Sequence, residues 1–150
     1  MLGARLRGIE FDHVYSSPMQ RARRTAVLAG FERAEVSALL REVGYGRYEG
    51  LTSAQIHETD PDWELYKDGC PGGETPLQIY ARAAQFIGLA TSSGRTRVLA
   101  FAHGHILRAV AAAWMHAAIT VAAGLQLDVA TLNILRDGDR GRVIALWNAP

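Results

Sequence analysis

His103 is the first residue whose placement points to chemistry. It follows the short apolar run Val98-Leu99-Ala100-Phe101-Ala102 and precedes Gly104, after which Ile106, Leu107 and Val110 recur at helical spacing. The run reads as a strand buried on both faces, and the residues after it as a helix. His103 thus stands at the carboxyl end of a buried strand. Open α/β sheets bind ligands there, and helix N-termini offer unpaired N–H groups to an anion. A buried histidine hydrogen-bonded for structural reasons is the plain alternative.

Arg21 occupies the same kind of position, in the first turn of a helix that follows a short strand at 11–15. Its planar fork of donors suits a phosphate, and the helix end adds partial positive charge. Ser17 is placed to cap that helix and Pro18 to fill its first position. Arg23 and Arg24 read as a solvated face. Glu42 lies in the glycine-rich loop 40–50 and is a candidate proton donor, since a partly buried carboxyl can titrate near about 6–7. Glu49 competes with it, and spacing alone does not separate the two.

The elements that must hold these side chains follow from local signals. A strand is expected at 35–40, a helix behind the capping box of Thr52 and Gln55, a short helix opened by Asp60-Pro61, and a long one opened by Thr75-Pro76 with Gln78. The long helix presents Leu77, Tyr80, Ala81, Ala84, Ile87 and Leu89 to the sheet and ends near Ser92-Ser93-Gly94. Between these two helices, Cys70-Pro71-Gly72-Gly73-Glu74-Thr75 is a turn-rich loop. Segments 131–135 and 143–147 flank a polar glycine turn and form an antiparallel hairpin. Leu2 and Leu6, four apart, read as the last turns of a helix over 1–8. The pattern predicts one α/β domain over 1–150, its sheet mostly parallel with an antiparallel strand near one edge.

Composition narrows the classes. A chain of 150 residues buries about 68–70% of its unfolded surface as one domain. With 49% hydrophobic and 21% charged residues it is an ordinary globular chain. A net charge of +1 gives no reason to expect nucleic acid, although local arginines suffice for one small anion. Cys70 is the single cysteine, which leaves no intrachain disulfide or cysteine metal cluster and fits a cytoplasmic location. Residues 1–5 lack the apolar core of a signal peptide. The uncharged span 109–127 is alanine-rich and interrupted by His116, Thr120, Gly124 and Gln126, so it reads as a buried helix running into a loop rather than a membrane span.

Four motifs then occur in a telling order: Ser16-Ser17-Pro18-Met19-Gln20-Arg21-Ala22, Leu40-Arg41-Glu42 with Gly46-Arg47-Tyr48-Glu49-Gly50, Pro71-Gly72-Gly73-Glu74-Thr75, and Ala102-His103-Gly104-His105. This order resembles the histidine phosphatase superfamily, which includes cofactor-independent phosphatases and the phosphoglycerate mutases, and the resemblance runs over residues 2–148. It implies a three-layer α/β/α sandwich with a mixed, mostly parallel six-stranded sheet. It also implies two-step hydrolysis of a small phosphorylated substrate through a phosphohistidine, with no cofactor and no metal. By the same resemblance Arg21, with Ser17, holds the phosphoryl oxygens, His103 steadies the transferring group, and Glu42 donates the proton. Gly104 brings backbone N–H groups close, Glu74 borders the pocket, and His105 is structural. The short distance from Glu42 to Gly72-Gly73-Glu74 favours a phosphatase over the mutases.

One departure is large. The family's nucleophilic histidine lies in an Arg-His-Gly segment, and this sequence contains none. The resemblance therefore implies an N-terminally truncated domain whose first strand is missing beside the strand that ends at His103. Such a domain is expected to be inactive as written. Unpaired buried backbone groups cost about 1–3 kcal/mol each, against a whole-domain stability of about 5–15 kcal/mol, and an open gap invites pairing into a homo-oligomer. His13 is expected inside a strand, and His57 and His116 in helices, so none replaces the nucleophile. Two alternatives stand beside the phosphatase: a non-catalytic module that binds an anion or a partner, and a metal site made by His103, His105 and His116 with a carboxylate completing it, whose spacing matches no zinc pattern.

Overall fold

The computed structural model describes residues 2–92 and 94–150. Met1 of the expected first helix and Ser93 at the expected end of the long one lie outside them. In chain order the elements are α1 (Leu2–Leu6), β1 (His13–Ser16), α2 (Gln20–Leu28), β2 (Glu35–Val36), α3 (Ser53–His57), α4 (Leu65–Asp68), α5 (Pro76–Ala90), β3 (Val98–Phe101), α6 (Gly104–Trp114), β4 (Leu132–Gly138) and β5 (Gly141–Ala149).

Three parallel strands lie in the order β2-β1-β3, with His13 opposite Val98 and Ser16 opposite Phe101. Alternation along β1 and β3 sends side chains to two layers. Val14, Leu99 and Phe101 pack with Leu6 of α1 and Ala26 of α2, while Tyr15 packs with Ile79, Phe86, Ile106 and Val110 of α5 and α6. The result is an α/β/α arrangement around a parallel sheet. Among the described residues the β4–β5 hairpin is a separate antiparallel pair, so the edge of β3 away from β1 has no strand beside it. Among the described residues the parallel and antiparallel strands thus form two sheets, with no ladder between β3 and β4.

Several boundaries differ from the sequence reading. The strand at 35–40 is only Glu35–Val36, followed by a 3-10 turn at Ala38–Leu40. Asp60-Pro61 opens a turn and not a helix, and the next helix begins at Leu65. The capping boxes at Thr52 and Thr75 form, each with its glutamine. On α5 the buried face is Ile79, Ala83, Phe86 and Ile87, and Leu77 is 78% exposed. A 3.6-residue period selects that set, and Leu77 belongs to the opposite side. α6 is buried from Ala109 to Trp114 and ends there, with a 3-10 turn over Ile119–Gly124. No helix is long and apolar enough to cross a membrane among the described residues.

Candidate active site

β1 and β3 end side by side, and the residues that follow them meet there. Ser17 N–H donates to the Phe101 carbonyl at 2.8 Å, which holds the turn after β1 against the end of β3. His103, 7% exposed, is the last residue before α6. Arg21 lies in the first turn of α2, and its Nε donates to His103 Nδ1 at 3.0 Å. His103 Nε2 lies 2.7 Å from Ser17 Oγ. Since Nδ1 accepts from the guanidinium, the neutral ring carries its proton on Nε2 and donates it to Ser17. Burial, then the charge of Arg21, lowers the His103 pKa, and Glu42 acts the other way.

Ser17 does not cap α2. That helix begins at Gln20 with Met19 before it, and Ser17 Oγ accepts from the Met19 N–H at 3.2 Å while facing His103. Gly104 opens α6, and its N–H has no hydrogen-bond partner among the described residues. A Cβ built at Gly104 meets nothing within 4 Å, so the backbone borders open space. Ser17 is wholly buried, whereas Arg21 is exposed and the Gly104 N–H unpaired, and a guanidinium beside a helix N-terminus is suited to an anion.

Glu42 lies beside this turn. Its Oε1 accepts from the N–H of Val43 and of Ile106, each at 3.0 Å, and its Oε2 accepts from His105 N–H at 3.2 Å. The carboxylate therefore supplies partners for the first turn of α6, which has no side-chain cap of its own. Glu49, the competing carboxylate, is exposed.

Glu74 has a different setting from the pocket edge expected of it. Arg82 grips both of its oxygens at 2.8 Å, and Gly44 N–H donates to Oε2 at 2.7 Å. Burial pushes its pKa up, but the Arg82 and Gly44 donors outweigh that and hold it below the usual carboxylate range. The same Arg82 donates through Nη1 to the Leu39 and Arg41 carbonyls at 2.9 and 2.7 Å. Glu74 and Arg82 thus fix the segment that carries Glu42. The two glycine-bearing loops also touch directly, since a Cβ on Gly73 would lie 2.2 Å from the Gly44 carbonyl oxygen. Arg82 escaped the sequence reading; its signal is a lone cation within the apolar stretch Tyr80-Ala81-Arg82-Ala83-Ala84.

His105 is tied into the fold on several sides. Its ring meets the Tyr45 hydroxyl at 2.5 Å, its carbonyl accepts from Tyr66 OH at 2.9 Å, and its Nδ1 is 3.9 Å from Glu42 Oε2.

With this geometry in view, the comparison with known proteins is decisive. The family model described as histidine phosphatase superfamily (branch 1) matches residues 1–150. The chain belongs to this superfamily. Over 137 residues it is 39% identical to an acid phosphatase of Mycobacterium tuberculosis (strain ATCC 25618 / H37Rv), a match covering 89% of this chain and 68% of that one. Over 127 residues it is 34% identical to a sedoheptulose 1,7-bisphosphatase of Saccharomyces cerevisiae (strain ATCC 204508 / S288c), covering 68% of this chain and 47% of that one. The solved structure of a Mycobacterium tuberculosis open reading frame superposes with a TM-score of 0.92 at 37% identity, covering 99% of this chain and 78% of that chain.

The remaining histidines of this histidine phosphatase chain are held elsewhere. His13 is bonded to Glu35 at 2.6 Å, and the ring of His57 to the Trp63 carbonyl at 2.9 Å. His116 lies beyond the end of α6 in the left-handed region, not in a helix as expected. Among the described residues no three His, Cys, Asp or Glu side chains are grouped to hold a metal ion, so His103, His105 and His116 do not form the metal site weighed above.

Proposed function

We propose that this chain holds the phosphoryl group of a small phosphomonoester for hydrolysis of the histidine phosphatase type. The observation that carries the reading is the junction of Arg21, His103 and the unpaired Gly104 N–H at the ends of two adjacent parallel strands. Phosphoryl transfer asks for positive donors around the equatorial oxygens, an in-line nucleophile and a proton for the leaving oxygen. Arg21 and Gly104 supply the first. His103, neutral and protonated on Nε2, exchanges its bond to Ser17 for one to a phosphoryl oxygen. Glu42 suits the third role in its protonated form: Oε1 takes both 3.0 Å N–H bonds, and Oε2, which takes only the longer 3.2 Å one, is the oxygen that carries the proton to be given to the leaving oxygen.

The nucleophile is not among these 150 residues, which contain no Arg-His-Gly. The reading therefore places it on a strand added along the free edge of β3. There its ring nitrogen bonds to phosphorus as the ester P–O bond breaks, and Glu42 protonates the leaving oxygen. Water then attacks phosphorus, returns a proton to Glu42 and breaks the N–P bond. Without that histidine the 150 residues bind phosphate and turn over little or nothing. The second reading, a non-catalytic anion- or partner-binding module, is favoured by the same missing motif and by the unpaired β3 edge, which a second copy could also occupy. The buried thiol of Cys70, without a disulfide, suits a reducing compartment such as the cytoplasm.

The test compares this chain with one extended by the amino-terminal segment of the Mycobacterium tuberculosis acid phosphatase, in 4-nitrophenyl phosphate hydrolysis and phosphate calorimetry. Phosphate binding by both and turnover by the extended chain alone support the phosphatase. Binding with no turnover in either favours the non-catalytic module. Absence of phosphate binding in both contradicts the site.

A further inference from the structure

A cavity of about 380 Å³ is walled in part by Tyr45, Trp63, Tyr66 and His105. It begins two residues beyond His103. His105 links the cavity to the proton donor: its N–H donates to Glu42, its ring bonds the Tyr45 hydroxyl, and its carbonyl accepts from the Tyr66 hydroxyl. Burial, then the charge of Glu42, pushes the Tyr45 pKa up, and burial does the same for Tyr66, so both stay neutral phenols.

The charges in the wall do not suit a second anion. Glu49 and Glu64 line it, and the arginine there, Arg108, has Nε and Nη2 committed to the Ala122 and Ala123 carbonyls at 2.8 and 2.7 Å. Its guanidinium also lies 5.3 Å from the centre of the Tyr66 ring. A second phosphate or a carboxylate would face two carboxylates and a cation already in use. An aromatic ring would find the part-exposed rings of Tyr45 and Trp63 and a volume within the range of small-molecule sites.

We propose that this cavity receives the leaving group of the phosphomonoester and selects aromatic, uncharged leaving groups over sugar bisphosphates and sugar acids. The proposal rests on the phosphoryl site at Arg21 and His103 given under Proposed function. It assigns the part-exposed Tyr45 and Trp63 as specificity-determining residues, backed by the buried Tyr66.

Calorimetric titration of the 150-residue chain with two non-hydrolysable phosphonates, a sugar bisphosphate and inorganic phosphate tests it. Benzylphosphonate should bind about tenfold more tightly than methylphosphonate, the gain expected for burying one ring. Fructose 1,6-bisphosphate should show no gain over inorganic phosphate. Trp63→Ala should erase the benzyl gain. Because the Trp63 indole also donates to the Gly69 carbonyl at 2.7 Å, Ser53→Trp serves as a second variant. It fills the cavity from the exposed start of α3 and should block benzylphosphonate alone. Equal affinity for the two phosphonates, or a benzyl gain that survives both variants, overturns the leaving-group pocket and leaves the phosphoryl site standing. Failure of methylphosphonate, benzylphosphonate and phosphate alike overturns the phosphoryl site and this proposal with it.

Discussion

Arg21 and His103, 82 positions apart in sequence, are joined side chain to side chain at 3.0 Å by a bond from Nε to Nδ1. The parallel pairing of β1 with β3 makes this contact, because each residue lies just beyond its strand on the same end of the sheet. The bond also sets the chemistry. A histidine that accepts from a guanidinium is kept neutral and oriented, and its other nitrogen is left as a donor.

Arg21→Lys keeps the charge but loses the planar fork and the bond to Nδ1. Phosphate affinity measured by calorimetry should fall by about tenfold or more, the worth of one charge-assisted hydrogen bond. An unchanged affinity would remove Arg21 from the site.

Glu42 has two separable jobs, holding the first turn of α6 and facing the reaction. Glu42→Ala should cost about 1–2 kcal/mol in urea unfolding, the usual loss for a helix cap. Glu42→Gln keeps a carbonyl oxygen for the two 3.0 Å donors and should retain most of that stability. In the strand-extended chain it should still lose turnover. Equal stability loss in both variants would argue against the capping geometry.

Arg82→Ala leaves the Glu74 carboxylate and the Leu39 and Arg41 carbonyls without their donor. The pair is largely but not wholly buried, with side-chain exposures of 16% and 24%. We expect a destabilisation of about 2–3 kcal/mol. The double variant with Glu74→Ala should lose less than the sum of the two single losses, since they share one interaction. Additive losses would mean that the two side chains act independently.

His103 and His105 both have pKa values lowered in the fold from 6.5, first by burial. The unfolded chain therefore binds protons more readily than the folded one below that value. Stability from these groups is present above about pH 7.5 and is lost as pH falls through about 6.5. Glu74, lowered from 4.5, adds a second loss at still lower pH. Melting temperature should decline from about pH 7.5 to 5.5, with a shallower slope in His103→Asn. A melting temperature that rises over that interval would contradict this assignment of neutral histidines.

The legible parts of the fold were those with local signals. The capping glutamines of α3 and α5, the apolar run of β3 and the turn between β4 and β5 each declare themselves within a few residues. The junction of Arg21 with His103 was foreshadowed because both follow strands. What stayed hidden depends on tertiary partners. Ser17 looks like a cap and instead faces His103. Glu74 looks like a pocket residue, and only the fold shows Arg82 reaching it from the second turn of α5. The Asp60-Pro61 pair carries a helix-start signal, yet the chain turns there and the helix waits until Leu65. The separation of β3 from β4 likewise depends on which strands stand next to each other, which local pattern does not encode.

The claim that Arg21, His103 and Gly104 hold a phosphoryl group is met most directly by histidine ring-nitrogen NMR during titration with inorganic phosphate. The His103 Nε2 and Nδ1 signals should shift as phosphate replaces Ser17, while those of His13, bonded to Glu35, and His57, bonded to the Trp63 carbonyl, stay in place. A titration that leaves the His103 signals unmoved, or moves all five histidines alike, would contradict the account.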